Sequence, residues 1–412
     1  MTRPAAPPPP PASDPDPPVD PLAGPGSNEF AAPGDLREVA RLAFRLGLTA
    51  FGGPAAHIAM LRDEVVNRRR WFSDAAFLDL IGASNLIPGP TSTETVMHTG
   101  MERAGWRGLL AAGLLFILPA ALITLAFAWA YGAYGETPTA EWLLYGIKPV
   151  VVAVVVQAIW GLGRTALKGW KLPALALAVL ALALVGVDEL VLLLGAGALL
   201  AIVGSLPTLR RGAVALLPAG PVLDLLWPTV LAVSAAPETY SPFRLFLGFL
   251  KIGATLYGSG YVLLAFVNQE FVERLGWLSG QELLDAVAVG QFTPGPVFTT
   301  ATFVGYLVGG WGGAVVATLA IFLPSFLIVG LTHRLIPRIR ANPVSAGFLD
   351  GVNAAAIALM AAVMLTIGRD ALVDLPTILL ALGAALLLIR VKVNSAWLIL
   401  GGALAGLLLG AV

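Results

Sequence analysis

Two motifs rich in proline and glycine interrupt apolar stretches in the first half of the chain, and both lie beside polar side chains. One is Phe51-Gly52-Gly53-Pro54, followed by His57, and the other is Pro88-Gly89-Pro90, between Asn85 and the polar run Thr91–Glu94. Such motifs break helices, and at membrane depth a break is tolerated only where the freed backbone faces protein or a water-filled cavity. The motifs therefore predict a buried polar site.

The second motif has the chemistry of an oxyanion site. Pro90 is expected in the first turn of a new helix, where its missing N–H does no harm. The N–H groups of the following residues then point at the break, and this end of the helix carries about half a positive charge, which favours an anion. Thr91, Ser92 and Thr93 add three hydroxyl groups. The alternative is that Pro-Gly-Pro only kinks a helix for packing.

The motif recurs in the second half as Pro294-Gly295-Pro296, followed by Thr299, Thr300 and Thr302. Two helix N-termini with hydroxyl groups, one from each half, would form a compact oxyanion cradle. The residues predicted to bind the substrate are Gly52, Gly53, Pro54, Asn85, Pro88, Gly89, Pro90, Thr91, Ser92, Thr93, Lys251, Gly258, Gln291, Pro294, Gly295, Pro296 and Thr299.

Charged and titratable residues near the breaks are the candidates for coupling or gating, because a charge within a membrane is costly and often functional. Lys251 precedes the second-half break and is expected to add positive charge to the anion site. Glu94 would repel an anion unless it is protonated or paired, so it is a candidate for proton coupling or for a salt bridge to Arg62 or Arg103. His57 can titrate near neutral pH. For each residue, a structural ion pair or hydrogen bond is the alternative.

Glu64 is a further candidate for gating. With Arg68–Arg70 and Trp71 it forms a segment typical of the membrane interface, where tryptophan and arginine act as anchors. The alternative is a mouth that gathers anions electrostatically.

The composition places the site in a membrane. Of 412 residues, 57% are hydrophobic and only 12% are charged, and the mean hydropathy is +0.83. Soluble chains carry about 25% charged residues, and apolar runs such as 108–130 and 313–332 match the hydrocarbon core of about 30 Å. These features exclude a soluble enzyme, a nucleic-acid-binding protein and a disulfide scaffold. The long uninterrupted apolar runs also argue against a β-barrel, whose strands would alternate over about ten residues. They predict a polytopic all-α membrane protein.

Cofactor chemistry is not indicated. The chain has no cysteine, and its three histidines lie far apart without the spacing of a zinc motif. No metal or other cofactor is expected.

Twelve apolar segments are predicted, six in each half, and a thirteenth candidate at 213–234 lies in the linker between the halves. The segments are 40–60, 77–99, 108–132, 143–163, 172–187, 190–206, 244–267, 283–308, 313–332, 346–367, 375–390 and 396–411.

The second six segments copy the first six. Pro88-Gly89-Pro90 matches Pro294-Gly295-Pro296 at an offset of 206 residues (294 − 88), and further identities keep that offset. One residue is then lost, so that Gly100 matches Gly305 at an offset of 205 (305 − 100). The predicted domains are therefore a proline-rich disordered tail at 1–35, a first repeat at 36–206, a linker at 207–242 and a second repeat at 243–412.

The basic residues in the loops predict that the two repeats are inverted. The count assumes six crossing segments per half and compares the side of the membrane on which each half begins with the opposite side. In the first half, the starting side carries seven Lys and Arg and the opposite side four. In the second half, the starting side carries one and the opposite side six. Because positive loops face the cytoplasm, the reversal favours inverted repeats with a site between them. The linker segment 213–234 would then cross the membrane. Arg68–Arg70 agree with this charge pattern only if the first two segments form a re-entrant pair that does not fully cross the membrane.

These motifs together resemble the chromate ion transporter family in its two-domain form. The likeness covers about 37–206 and 243–411 and is carried by Phe51-Gly52-Gly53-Pro54, His57-Ile58-Ala59-Met60, Asn85-Leu86-Ile87-Pro88-Gly89-Pro90, Lys251-Ile252-Gly253 and Gln291-Phe292-Thr293-Pro294-Gly295-Pro296. The resemblance implies a multi-pass plasma-membrane protein with two antiparallel halves that expels chromate and confers chromate resistance.

We therefore expect a secondary transporter that exports a tetrahedral dianion, with chromate or sulfate as the substrate and the lipid bilayer as its surroundings. The sequence has no P-loop motif for ATP hydrolysis. An importer or exchanger of sulfate or another oxyanion remains the alternative, and a membrane enzyme or a non-transporting sensor or scaffold is less favoured. No nucleic acid is expected as a partner, and a homodimer is left open.

Overall fold

The computed structural model describes residues 35–51, 53–85, 87–135, 137–209, 240–256, 262–332, 343–391 and 393–411. The first half contains helices α1 (Leu36–Thr49), α2 (Gly53–Arg62, continued by a π-helical turn at Asp63–Arg68), α3 (Asp74–Ser84), α4 (Thr91–Tyr134), α5 (Pro138–Ala166), α6 (Lys171–Leu184) and α7 (Glu189–Leu209). The second half contains α8 (Pro242–Thr255), α9 (Leu263–Val267, continued by a π-helical turn at Asn268–Arg274), α10 (Gly280–Phe292), α11 (Thr300–Thr332, preceded by a 3₁₀ turn at Val297–Thr299), α12 (Pro343–Ala371), α13 (Leu375–Leu386, continued by a π-helical turn at Leu387–Val391) and α14 (Ser395–Gly410).

Four of the described helices are long and apolar enough to cross a membrane, namely Thr91–Tyr134, Pro138–Ala166, Val297–Thr332 and Ala346–Ala371. Their outer faces carry large apolar side chains. Leu110, Leu114, Leu118 and Leu122 recur every fourth residue on α4, and each is about half exposed. A continuous apolar stripe of this kind suits lipid and not water. The structure therefore confirms the predicted all-α membrane protein.

Helices α1 and α2 form a hairpin that reverses between Thr49 and Gly53. Arg45 on α1 and Glu64 in the π-helical turn after α2 lie on either side of the break, and an ion pair of 3.0 Å joins them. The chain therefore returns toward the end of the molecule from which it entered. The predicted segment 40–60 is thus two helices, because the glycine-proline motif prevents one continuous helix.

Helix α3 and the first part of α4 form a second hairpin around Pro88-Gly89-Pro90. The Thr95 hydroxyl donates to the Ser84 hydroxyl oxygen at 3.0 Å across the break. The second half repeats both hairpins. Lys251 on α8 pairs with Glu270 after α9 at 3.2 Å, and the equivalent of the second hairpin is formed by α10 and the start of α11.

Helix α4 reverses direction within its length. Ala104 has φ −143° and ψ 23°, and Gly105 has φ 57° and ψ −149°. A Cβ added to Gly100 would lie 2.3 Å from the carbonyl oxygen of Gly108, although these residues would be about 12 Å apart in a continuous helix. A positive φ suits glycine, which has no Cβ. Helix α4 is therefore a short helix that ends at Arg103 and a long helix that follows it.

Helix α11 has the same reversal. Its non-helical residues are Gly309 and Gly310, and Gly305 contacts Gly313 as Gly100 contacts Gly108. Within each of these two helices, only the long part after the reversal has the length needed to cross the bilayer.

The base of both first-half hairpins lies at one end of the molecule. The Arg103 guanidinium lies 4.7 Å from the centre of the Trp71 ring and 4.0 Å from the Glu38 carboxylate. The start of α1, the turn after α2 and the reversal in α4 therefore meet. Each hairpin therefore returns to the end at which it begins, and the turn that holds Arg68 lies at the same end as the start of α1. The sequence analysis considered one re-entrant pair made of the first two segments, whereas the structure has a hairpin within each of them.

Glycines allow the remaining helices to pack closely. Gly146 of α5 contacts the backbone of Gly402 and Gly406 of α14, and Gly351 of α12 contacts Ala196 of α7. Small residues at helix interfaces are typical of membrane proteins. The predicted tail up to Gly34 and the predicted extra segment 213–234 lie outside the described residues.

Candidate functional site

The Pro-Gly-Pro motif of each half is hydrogen-bonded to the first hairpin of the other half. The Gly89 amide donates to the carbonyl oxygen of Leu256 at 2.7 Å, and the Gly295 amide donates to that of Ala50 at 2.9 Å. Ala50 follows α1 and Leu256 follows α8, so the two contacts are equivalent by sequence. The tips of all four hairpins therefore meet in the interior.

The first helix start is buried and rich in hydroxyl groups. Helix α4 begins at Thr91, and Pro90 is the residue before it, one position earlier than predicted. Thr91, Ser92 and Thr93 are all buried. The Thr93 hydroxyl has no hydrogen-bond partner among the described residues. The first N–H groups of a helix have no partner within it, so this end offers donors to an anion.

Glu94 lies directly beside Gly89. Its side chain is fully buried, its Oε1 accepts a hydrogen bond of 3.2 Å from the Ser325 hydroxyl of α11, and its Oε2 has no partner in the described part of the chain. A Cβ on Gly89 would lie 2.1 Å from Glu94 Oε1, and Gly89 has φ +140°. Glycine is therefore needed for the Pro-Gly-Pro turn to pass the carboxyl group.

The predicted salt bridge from Glu94 to Arg62 or Arg103 is wrong. Arg62 pairs with Asp74, and Arg103 lies against Trp71 and Glu38. The hairpin explains the difference, because Glu94 is near its tip and Arg103 is at its base, about 13 Å further along the helix.

The second-half break has a different set of polar contacts. Pro296 precedes the short 3₁₀ turn at Val297–Thr299. The Thr124 hydroxyl of α4 donates to the hydroxyl oxygens of Thr299 at 3.3 Å and Thr293 at 3.4 Å. Each break therefore contacts a hydroxyl group on the long helix of the opposite half, Ser325 in one case and Thr124 in the other.

Gln291 and Asn85 occupy equivalent positions in the sequence but different environments. Gln291 is only 4% exposed, and its Nε2 has no hydrogen-bond partner in the described residues. Asn85 is exposed. Of these two equivalent residues, Gln291 alone offers a buried side-chain donor at its break.

His57 ties the first hairpin to the start of α4. Its Nε2 lies 3.1 Å from the Ala50 carbonyl oxygen, and its Nδ1 lies 3.3 Å from the Ser92 hydroxyl. A carbonyl oxygen only accepts, so Nε2 carries the proton and the neutral ring accepts from Ser92 through Nδ1. This is the hydrogen-bonded role that the sequence left open for His57.

Lys251 and Glu64 belong to equivalent ion-pair clusters between the helices of each first hairpin. Glu64 is bound by Arg45 at 3.0 Å, Arg68 at 3.1 Å and Arg69 at 3.2 Å. Glu270 is bound by Lys251 and Arg274. The ammonium group of Lys251 is therefore held by a carboxylate between α8 and α9, not directed at the anion site.

The structure gathers most of the predicted site and adds two residues to it. Gly53 begins α2 with Pro54 next to it, whereas Gly52 and Gly258 lie outside the described residues. Ser325 and Thr124 were not predicted, because each is one polar residue in a long apolar helix. Ser325 directly follows Pro324, and Thr124 comes five residues after Pro119 (124 − 119), so proximity to a proline within a helix is the signal that could have indicated them. Among the described residues, no group of three or more His, Asp or Glu side chains could hold a metal ion.

A helical membrane protein in which broken helices meet in the interior, with buried polar atoms that lack partners, has the architecture of a transporter. Comparison of the sequence with known families also indicates a transporter. The chain belongs to the chromate transporter family, whose model matches residues 37–202 and again 243–407.

Individual relatives are similar over most of their length. The chromate transport protein of Cupriavidus metallidurans is 31% identical over 393 residues, which is 93% of this chain and 95% of that protein. The chromate transport protein of Pseudomonas aeruginosa is 33% identical and covers 88% of this chain and 89% of its own length. A probable chromate transport protein of Synechococcus elongatus is 32% identical over 84% of this chain and 88% of its own. No solved structure matches the chain.

Proposed function

We propose that this protein is a secondary transporter that exports chromate across the plasma membrane and so confers chromate resistance. The relatives named as chromate transport proteins support the substrate. The observation that carries the proposal is the reciprocal contact of the two Pro-Gly-Pro motifs, through Gly89 and Gly295, with the opposite hairpins. This contact buries two helix starts with their N–H groups and hydroxyl groups at a single level of the fold.

The proposal includes two inverted six-segment repeats, 36–206 and 243–412. Trp106, just after the reversal in α4, contacts Gly330 near the end of α11. Lys148, near the start of α5, donates to Gln281 at the start of α10 at 2.6 Å. In both contacts, the base of the hairpins in one half lies beside the far end of the long helix in the other half. This supports an antiparallel arrangement of the two halves.

Alternating access follows from this arrangement. The anion is held between the two breaks by helix N–H groups, by hydroxyl groups and by the Gln291 amide, and relative motion of the halves exposes it to either side. Moving one charge through 100 mV is worth about 2.3 kcal/mol. A dianion that leaves a cell with a negative interior therefore releases roughly 4–5 kcal/mol per 100 mV. The membrane potential alone is sufficient to drive export.

The double variant Pro88→Ala with Pro294→Ala tests the site. Without the pyrrolidine rings of Pro88 and Pro294, helices α3 and α10 can continue into the breaks. The starts of the helices that follow then no longer point at the site. We expect chromate resistance to fall to the level of cells that lack the gene, at matched protein abundance. Pro138→Ala, at the exposed start of α5, is the matched control and is expected to keep full resistance. Full resistance in the double variant would rule out the proposed site.

Glu94→Gln tests whether proton coupling is needed. The amide keeps the side-chain volume, and its oxygen can still accept from Ser325. Because the potential is sufficient to drive export, we expect the rate of chromate transport under an imposed potential to stay within about twofold of the parent protein. A complete loss of potential-driven transport at normal abundance would instead assign the coupling proton to Glu94.

A further inference from the structure

A cavity of about 350 Å³ lies between α4, α5, α10 and α12, away from the Pro-Gly-Pro motifs. Its polar lining includes three carboxylates and one ammonium group. The residues that matter here are Tyr131, Glu141, Lys148, Gln281, Asp285 and Asp370.

One side of the cavity is closed by a buried polar bridge. The Tyr131 hydroxyl donates to Asp285 Oδ2 at 2.9 Å, and Lys148 Nζ lies 3.4 Å from Asp285 Oδ1. The Asp285 side chain is only 2% exposed, and its Oδ1 accepts no hydrogen bond from the described residues. The bridge joins two helices of the first half to one of the second, so it must break before the halves can separate here.

The cavity and the second break lie on the same two helices. Asp285 precedes Gln291 by six residues on α10, or about 9 Å. Tyr131 follows Thr124 by seven residues on α4, or about 10 Å. An anion that leaves the break along these helices would therefore meet the bridge first and the cavity next.

The residues of this bridge are not all kept at the equivalent positions of the other half. Asp79 is equivalent to Asp285, but it is exposed. The residue equivalent to Lys148 is Asn353, at the offset of 205 (353 − 148). The two ends of the proposed path thus differ in structure.

The two ends of the proposed path also differ in charge. The cavity lining contains three carboxylates, of Glu141, Asp285 and Asp370, against the one ammonium group of Lys148, so it is net negative. At the cavity, the Tyr145 hydroxyl donates to Asp374 and holds the pKa of that exposed carboxylate below its usual range, which keeps it charged.

The first hairpin of the first half has the opposite balance. Three arginines converge on Glu64, and Asp63 pairs with one of them, so that cluster keeps one net positive charge.

We propose that the cavity is a low-affinity exit vestibule for the oxyanion, closed on its inner side by the Tyr131–Asp285–Lys148 bridge and lined with carboxylates that disfavour re-entry. This inference rests on the proposed function and adds a direction to it. Two net charges that act on a dianion across roughly 8 Å of water-like medium change its affinity by about fivefold at moderate ionic strength. The anion is therefore bound more weakly from the cavity face than from the opposite face.

The test compares the KM for chromate at the two faces, in right-side-out and everted membrane vesicles that contain the full chain. In the parent protein, the KM at the cavity face is expected to exceed that at the opposite face by about fivefold. Glu141→Gln with Asp370→Asn, both at exposed positions, should lower the cavity-face KM several-fold and leave the other unchanged. Added salt screens both sets of charges, so it should lower the KM at the cavity face and raise the KM at the opposite face.

Asp350→Asn is the matched control. It removes an exposed carboxylate from the other end of α12, about 30 Å from Asp370, and should leave the cavity-face KM unchanged. A cavity-face KM that is the same in the parent and the double variant would overturn the vestibule while leaving the proposed function intact. If the parent protein moved no chromate in either vesicle orientation, the proposed function itself would fail, and the vestibule with it.

Discussion

Gly89→Ala is expected to reduce the initial rate of chromate transport by about tenfold to hundredfold, because backbone strain of this kind costs about 1–3 kcal/mol. The new methyl group would lie 2.1 Å from Glu94 Oε1 and 2.5 Å from the Ser325 hydroxyl oxygen. Gly89 also has φ +140°, which L side chains rarely adopt. The turn must therefore move, and with it the amide that binds Leu256.

The rate is measured as chromate flux in membrane vesicles at matched protein abundance. Gly161→Ala is the control, since this glycine is in α5 and a Cβ there meets no atom within 4 Å. Alanine is favoured over glycine within a helix, so the control is expected to transport normally. Normal transport by Gly89→Ala would show that the contact between the first Pro-Gly-Pro turn and the second half is not part of the mechanism.

Lys148→Gln is expected to lower the free energy of unfolding by about 3–5 kcal/mol, because it leaves a buried carboxylate without its cation. The carboxylate is that of Asp285, whose side chain is 2% exposed and 3.4 Å from the lysine. Replacing both charges, as in Lys148→Met with Asp285→Leu, removes the pair without leaving an uncompensated charge. The double variant should recover most of the lost stability.

Stability is measured as the unfolding midpoint of the purified full chain in detergent. The comparison between the single and double variants is the informative one, since a membrane protein can lose stability for many reasons. If the double variant were as unstable as Lys148→Gln, the lysine would act through packing and the Asp285 carboxylate would not be its essential partner.

The helix breaks were predictable from the sequence, because proline and glycine in these motifs prevent a continuous helix. Pro88-Gly89-Pro90 marked the start of α4 to within one residue, whereas after its copy at an offset of 206 residues a 3₁₀ turn at Val297–Thr299 precedes the start of α11 at Thr300. The buried hydroxyl groups after the first motif followed from the same reasoning.

The direction of the chain was harder to predict, because hydrophobicity does not record a reversal. The stretch 77–99 reads as one apolar span, yet it contains the tip of a re-entrant hairpin. The reversal at Ala104 and Gly105 lies between two apolar runs, and only its recurrence at Gly309 and Gly310 marks it as structural. The partner predicted for Glu94 was wrong for this reason.

Equivalent residues also diverged where the two halves differ in their surroundings. Gln291 is buried and Asn85 is exposed, and Lys148 has no basic equivalent. An offset in sequence identifies such pairs, but burial depends on which helices of the other half cover them.

The most direct test of the central claim is chromate uptake into everted membrane vesicles, with and without a membrane potential that is positive inside. In these vesicles export appears as uptake, and such a potential attracts the dianion with roughly 4–5 kcal/mol per 100 mV. We predict chromate accumulation that depends on this protein and collapses when the potential is dissipated. Vesicles that accumulate no chromate under either condition would contradict the assignment of the protein as a chromate exporter.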